Sequence, residues 1–176
     1  MKKILIAVDL QNDFVSGALG TAEAEAIVPR AAEKIRRHEG PVLVTMDTHG
    51  EDYLSTAEGK KLPVVHCVRG TPGWELDERI REALAGKDAV ILEKPTFGST
   101  GLPEAVIRAA AGEDFTLEIF GLCTDICVVS NALLLKAFFP ETLVALDAAA
   151  SAGVTPALHE AAVRTMRSCQ IDVRNA

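Results

Sequence analysis

The sequence predicts a three-layer αβα fold built on a mostly parallel, Rossmann-like sheet of five or six strands. Two observations carry that expectation. Short runs rich in Val, Ile, Leu and Phe recur without strict alternation, the pattern of strands buried on both faces. Between them lie longer stretches with apolar residues at helical spacing, so strand and helix alternate as a parallel sheet requires. The chain has 176 residues, 48% of them hydrophobic and 24% charged. That length suits one core, and the balance excludes a disordered or fibrous protein. No repeat, low-complexity tract or Pro/Ser-rich linker divides the chain, so residues 1–176 are expected to form a single domain.

The elements follow in order. Residues 3–8 form the first expected strand, and 22–38 the first long helix, stopped by Gly40-Pro41. Residues 42–46 form the second strand. Residues 47–73 carry Gly50, Gly59, Pro63, Gly70, Pro72 and Gly73, and read as a long loop of functional or mobile character. A helix over 74–84 ends at Gly86, and a third strand spans 89–92. A helix over 102–111 ends at Gly112, a fourth strand spans 115–120, and a helix over 124–139 ends at Pro140. The fifth strand spans 142–146. The last helix, 155–168, opens with Thr155 as cap and Pro156 in the first helical position.

Charge and cysteine usage narrow the function classes. A net charge of −7 argues against nucleic acid or an anionic membrane surface as partner. No segment approaches the ~20 apolar residues of a membrane helix. The apolar start at 4–8 is stopped by Asp9, Asn12 and Asp13, too early for a signal peptide, so a cytoplasmic location is expected. Cys67, Cys123, Cys127 and Cys169 are too sparse for a disulfide scaffold and are expected as free thiols.

In open parallel sheets the ligand site lies outside the carboxyl ends of the strands. The first strand ends in Asp9, the second in Asp47-Thr48-His49, the third in Glu93-Lys94-Pro95-Thr96-Phe97-Gly98-Ser99, and the fourth in Gly121-Leu122-Cys123-Thr124-Asp125-Ile126-Cys127. The fifth ends in Asp147, followed only by small residues. Cys127 falls in the first turn of its helix, where unpaired N–H groups and the helix dipole favour a thiolate and can hold an oxyanion. Asp9 can accept the thiol proton, and Lys94 can hold the negative charge, with no histidine required. Each residue alone has a bland reading: a loop aspartate, a core cysteine, a solvated lysine. Their meeting at one rim points to a Cys-Asp-Lys nucleophilic site for acyl transfer. Cys67 and Cys169 are expected as packing residues, and Cys123 stands four residues from Cys127, outside the CxxC spacing of a redox pair.

A second constellation lies in the long loop. Asp47 and His49, two apart on an extended segment, point the same way. Glu58 and His66 follow in the same loop. Oxygen and nitrogen donors without thiolate suit Zn²⁺, Mn²⁺ or Fe²⁺, although surface histidines account for such a pattern more often than a metal does when it is taken alone. His38 and His159 are expected on helix surfaces.

Val8-Asp9-x-Gln11-x-Asp13-Phe14, the Lys94 segment and Gly121-x-x-Thr124-Asp125-x-Cys127 together resemble the isochorismatase-like cysteine hydrolases, with elements in that family's order from Ile4 to about Asp172. Asp47-Thr48-His49 and the stretch from Leu62 through His66-Cys67 to Gly73 resemble the nicotinamidases within it. The resemblance implies hydrolysis of nicotinamide to nicotinate and ammonia, in NAD salvage, through a Cys127 thioester. Asp9 would serve as proton acceptor and donor, and Lys94 would orient the pair. It implies an oxyanion site at the backbone N–H groups of Cys123 and Cys127, a cis Leu122–Cys123 peptide, and a divalent metal, zinc foremost, on Asp47, His49, His66 and Glu58, with Asp52 as the fallback fourth ligand. The ring would be clamped by Phe14 and Phe97. Pro63 stands where relatives carry an aromatic residue, and Trp74 could be core. Rival readings are a metal-independent hydrolase of another small amide or N-carbamoyl compound, and a non-catalytic small-ligand binding module. Isochorismatase proper lacks a nucleophilic cysteine. The helix at 125–139 is apolar on more than one face, and a homo-oligomer is expected.

Overall fold

Strands β1 (Lys2–Val8), β2 (Val42–Asp47), β3 (Ala89–Lys94), β4 (Phe115–Leu122), β5 (Val144–Ala152) and β6 (Asp172–Arg174) form one parallel sheet in a computed structural model describing residues 1–176. Their spatial order is β3-β2-β1-β4-β5-β6. Helices α1 (Asn12–Val15), α2 (Ala22–Arg37) and α3 (Glu78–Leu84) cover one face, and α4 (Leu102–Ala110), α5 (Val129–Phe138) and α6 (Pro156–Ser168) the other. Side chains of β1 alternate between the layers. Leu5 and Ala7 pack with Val28 and Ile35 on one side, while Ile4, Ile6 and Val8 pack with Val106, Leu135 and Met166 on the other. Both faces are dry, which is why the run reads as continuously apolar.

Helix ends follow local chemistry. Thr21 caps α2 by accepting from the Ala24 N–H at 3.0 Å, and Thr155 caps α6 by accepting from the Leu158 N–H. Helix α3 begins four residues later than the spacing predicts. Leu76 is instead extended, bridging antiparallel to Gln11, and Asp77 provides the cap through the Arg79 N–H. No helix is long and apolar enough to cross a membrane.

Three strands depart from expectation. β3 was expected to be buried on both faces, but it is the sheet edge and leaves Val90 and Ile91 exposed. β5 runs on through Ala148–Ala152, because Ser151 and Ala152 pair with Gly121 and Leu122 after a register shift. Asp147 therefore lies inside β5 rather than at its end, and its carboxylate meets Lys34 of α2 at 2.9 Å. β6 has three residues, two of them charged, too short a run to show hydrophobic patterning.

The strand order reverses between β1 and β4, and this switch point positions the site. Where β4 passes Val8 of β1 stands Gly121, whose φ of +127° and lack of room for a Cβ against the Val8 carbonyl both require glycine. Beyond it the Leu122–Cys123 peptide is cis.

Candidate active site

Asp9 ends β1 with φ +48° and is fully buried. Its Oδ1 accepts from the Thr45 hydroxyl at 2.7 Å, and its Oδ2 lies 2.7 Å from Nζ of Lys94, at the end of β3. That second contact is close enough for an ion pair, yet Oδ2 receives no properly directed hydrogen bond. Lys94 Nζ also lies 3.3 Å from Asp47 Oδ1 and 3.6 Å from Cys127 Sγ. A wholly buried lysine thus bridges two carboxylates and a thiol. Burial opposes its charge, but Asp9, Cys127 and Asp47 together keep it protonated.

Cys127 sits on a π-helical turn, Thr124–Val128, between β4 and α5. The expected thiolate is not the resting form. Burial pushes the thiol well above its ordinary value, the neighbouring Asp9 carboxylate adds to that, and Lys94 offsets only part of it. Burial likewise raises Asp9, against the pull of Lys94 and with added repulsion from Asp47. The thiol is held neutral, and the Asp9 carboxyl beside it has a strengthened hold on its proton. Cys123 precedes the turn; its carbonyl accepts from the Ile126 and Val128 N–H groups, whereas its own N–H donates to no group of the chain.

The second constellation is assembled as well. Asp47, His49, Glu58 and His66 bring one donor atom each to within 4.8 Å of one another. Asp47 Oδ2 lies 2.9 Å from His49 Nε2 and 3.6 Å from His66 Nε2, and Glu58 Oε1 lies 3.9 and 3.8 Å from the same two nitrogens. The His66 Nδ1 faces the Val64 carbonyl at 2.8 Å, so with that nitrogen protonated the Nε2 lone pair points into the cluster. Burial raises Asp47, but His49, His66 and Lys94 outweigh it and hold this carboxylate well below its usual range. Two imidazoles and two carboxylates at this spacing fit a Zn²⁺, Mn²⁺ or Fe²⁺ ion. Asp52 is exposed and lies outside the cluster, so the fallback ligand is not brought to it.

Cys127 of the first constellation and Asp47, Glu58 and His66 of the second face one cavity of about 310 Å³, whose lining is completed by Phe14, Leu19, Leu62, Phe97, Cys123, Ile126 and Val154. Phe14 is buried and stands edge-on to His66, with ring centroids 5.5 Å apart, while Phe97 is 41% exposed at the mouth. A wider cleft, about 870 Å³, lies at the opposite, amino-terminal rim around Lys2, Gly40 and Asp88 and touches none of these groups. Cys67 is core, as expected, and its N–H donates to Asp13 Oδ2 at 2.7 Å. Cys169 is exposed at the end of α6, not packed. His38 caps the end of α2 and its Nε2 faces the Lys3 carbonyl; His159 meets the Thr124 hydroxyl at 2.9 Å and so has a partner on the turn that carries Cys127.

Several contributors escaped the sequence reading. Gln11 clamps Asp47 by accepting from its N–H at 2.7 Å and donating to its carbonyl at 2.9 Å. Tyr53, the chain's one tyrosine, is fully buried against the His49 and His66 rings at 4.6 and 4.9 Å, and its hydroxyl donates to the Leu62 carbonyl. Gln11 lay within the first-strand motif, whereas Tyr53 had no local signal. Trp74 donates to the Thr48 hydroxyl at 2.9 Å and packs on the core beside, not within, the cavity.

Residues 3–176 match the Isochorismatase domain. The chain belongs to the isochorismatase family. It is 31% identical to the nicotinamidase/pyrazinamidase of Mycobacterium tuberculosis over 97% of both chains. Among solved structures of the family it is similar to the pyrazinamidase of Pyrococcus horikoshii in complex with zinc, at 29% identity, TM-score 0.80 and full coverage of both chains. It is also similar to the N-carbamoylsarcosine amidase of Thermoplasma acidophilum, at 28% identity and TM-score 0.76, covering 99% of this chain and 96% of that one. As a member of this family the protein is a hydrolase, and its parallel sheet with two helical layers is the family's fold.

Proposed function

We propose that this isochorismatase-family protein is a metal-assisted nicotinamidase. The observation that carries the reading is one small, largely apolar cavity lined both by Cys127, which Lys94 joins to Asp9, and by Asp47, Glu58 and His66 of the donor set. Such a cavity suits a flat heteroaromatic ring with one amide. Cys127 Sγ attacks the carboxamide carbon while Asp9 takes the thiol proton, and the backbone N–H groups of Cys123 and Cys127 receive the oxyanion. Collapse forms the thioester and breaks the C–N bond, with Asp9 returning the proton to the departing ammonia. Asp9 then deprotonates a water molecule that attacks the thioester, giving nicotinate and restoring the thiol. Lys94 keeps Asp9 ionised in a dry site and aligns it with Cys127. A divalent ion held by Asp47, His49, Glu58 and His66 would offer a coordination position to the pyridine nitrogen, directly or through water, and so fix the ring. Phe14 and Phe97 flank that ring.

The likeness to an N-carbamoylsarcosine amidase supports a second reading, hydrolysis of a small N-carbamoyl compound without metal. The cavity favours the first: no lysine or arginine lines it to hold a substrate carboxylate. Ammonia release from nicotinamide by purified protein, before and after chelation and Zn²⁺ or Mn²⁺ replenishment, separates the two. Turnover lost on chelation and restored by metal supports the nicotinamidase reading. No release in any metal condition rejects it.

A further inference from the structure

Asn131 lies on α5, one helical turn beyond Cys127, and its side chain is fully buried. An asparagine inside a helix has poor intrinsic propensity, and burying its amide is costly unless every group is bonded. Here all three bonds are made. Oδ1 accepts from the Ser99 N–H at 2.8 Å, while Nδ2 donates to the Cys127 carbonyl at 2.8 Å and to the Phe97 carbonyl at 3.1 Å. The partners dictate the amide's orientation: a flipped amide would set oxygen against two carbonyls and NH₂ against an N–H.

These partners belong to two separate pieces of the site. One is the turn that carries the nucleophile. The other is the segment after Lys94, which carries the exposed ring of Phe97 at the cavity mouth. Between Pro95 and Ser99, the bonds to Asn131 are the hydrogen bonds that tie the segment to the rest of the protein; the Ser99 carbonyl bonds only locally, to the Leu102 N–H. A Cβ added at Gly98 would come into van der Waals contact with Ser130, the neighbour of Asn131, so the segment runs close to α5 along the same seam.

We infer that Asn131 is a positioning residue that sets the spacing between Cys127 and the Phe97 wall, and through it the width of the substrate cavity. Asn131 does not touch the reacting atoms. It acts through Phe97, so its loss loosens ring binding more than it slows the chemical step. The inference deepens the nicotinamidase reading and rests on it for the identity of the ring, but the spacing itself can be read without nicotinamide.

The test uses Asn131→Asp, which keeps the shape and the acceptor for Ser99 but turns oxygen toward the Cys127 and Phe97 carbonyls, and Asn131→Leu, which removes all three bonds at similar volume. Each is made in the native and the Phe97→Ala background, with thermal midpoints recorded. With nicotinamide, Asn131→Asp is expected to raise KM by about 10-fold, the scale of losing two ordinary hydrogen bonds, with a smaller change in kcat. In the Phe97→Ala background that KM effect should vanish. Independently of substrate, the ratio of Cys127 modification rates by N-phenylmaleimide and iodoacetamide, mapped by peptide mass, should shift in Asn131→Asp and stay unshifted once Phe97 is Ala. If the protein does not hydrolyse nicotinamide, the function reading fails and the alkylation ratio alone decides the positioning role. An equal effect in both backgrounds, or loss confined to thermal midpoint and kcat, overturns the inference. Should Asn131→Leu fail to fold, the Asp variant and its cycle decide.

Discussion

Two buried carboxylates in this protein each face a lysine, and they hold their protons in opposite ways. Asp9 lies 2.7 Å from Lys94, and Asp147 lies 2.9 Å from Lys34. Burial disfavours the charge at both. At Asp147 it is outweighed by the hydrogen bond from Lys34, the Asn175 amide at 3.1 Å and Arg30 at 3.7 Å, so the carboxyl falls below its usual range. At Asp9 it wins, because Asp9 is more deeply buried than Asp147 and the nearby Asp47 charge repels, so that Lys94 offsets only part of the cost. Asp147 has its bonds filled and braces β5 against α2. Asp9 keeps an oxygen without a directed donor beside a thiol. Identical residue types differ in their hold on a proton according to depth of burial and neighbouring charge, which suits Asp147 to a brace and Asp9 to its proposed role as a base.

The strongest way to break this contrast is to remove the thiol that the proposed base would serve. Cys127→Ala should lower amide turnover by about 10⁴-fold or more while the fold persists, since a small apolar side chain replaces a neutral thiol. Residual turnover near the native level would remove Cys127 from the mechanism. Next come the two carboxylates. Asp9→Asn should cut kcat/KM by about 10²–10⁴-fold. Asp147→Asn should leave turnover intact and cost about 1–3 kcal/mol of stability, read by denaturant unfolding. If the two variants lose activity alike, the distinction between brace and base fails.

Only the Asp9 side of this contrast was legible in the sequence; Asp147 was expected at a strand end, with no partner. β1, β2 and β4 announced themselves because both faces are buried, and their ends supplied Asp9, Asp47 and Cys127 at the rim. What failed was decided by partners distant in sequence. The run Ala148–Ala152 has little strand propensity of its own and becomes strand by pairing with Gly121 and Leu122. β3 resembles the central strands in composition, and only its place at the edge exposes Val90 and Ile91. The thiolate expected at Cys127 followed from a helix-end argument that left out burial and the Asp9 charge. Tyr53 and Asn131 serve the site through contacts that no spacing in the sequence announces.

Metal removal should have a smaller effect on the fold than on turnover. A metal at 100 times its Kd stabilises the folded state by about 2.7 kcal/mol, which for a chain of this size corresponds to ~5–10 °C in Tm. Chelation should lower the midpoint by that order, and Zn²⁺ or Mn²⁺ should restore it. Glu58→Ala should abolish most of the restoration, whereas Asp52→Ala, outside the donor cluster, should respond like the native protein. Equal responses from the two variants would take Glu58 out of the ligand set.

The smallest expected effect sharpens the comparison most, because its sign differs between the two carboxylates. Asp147 has a folded pKa below the unfolded value of about 3.9, so its contribution is present above that pH and is lost as pH falls through the depressed folded value. Asp9 has a folded pKa above the unfolded value, so the folded state binds its proton more tightly. Stability from Asp9 is therefore greatest in acid and declines as pH rises from about 3.9 through the raised value. Unfolding free energies from about pH 3 to pH 7 should show it. Asp147→Asn should flatten the rise of stability on leaving acid, and Asp9→Asn should steepen it by removing the opposing decline, each unit of pKa difference amounting to about 1.4 kcal/mol. Changes of the same sign in both variants would mean that Lys94 binds Asp9 as fully as Lys34 binds Asp147, leaving Asp9 no stronger a base than an ordinary carboxylate.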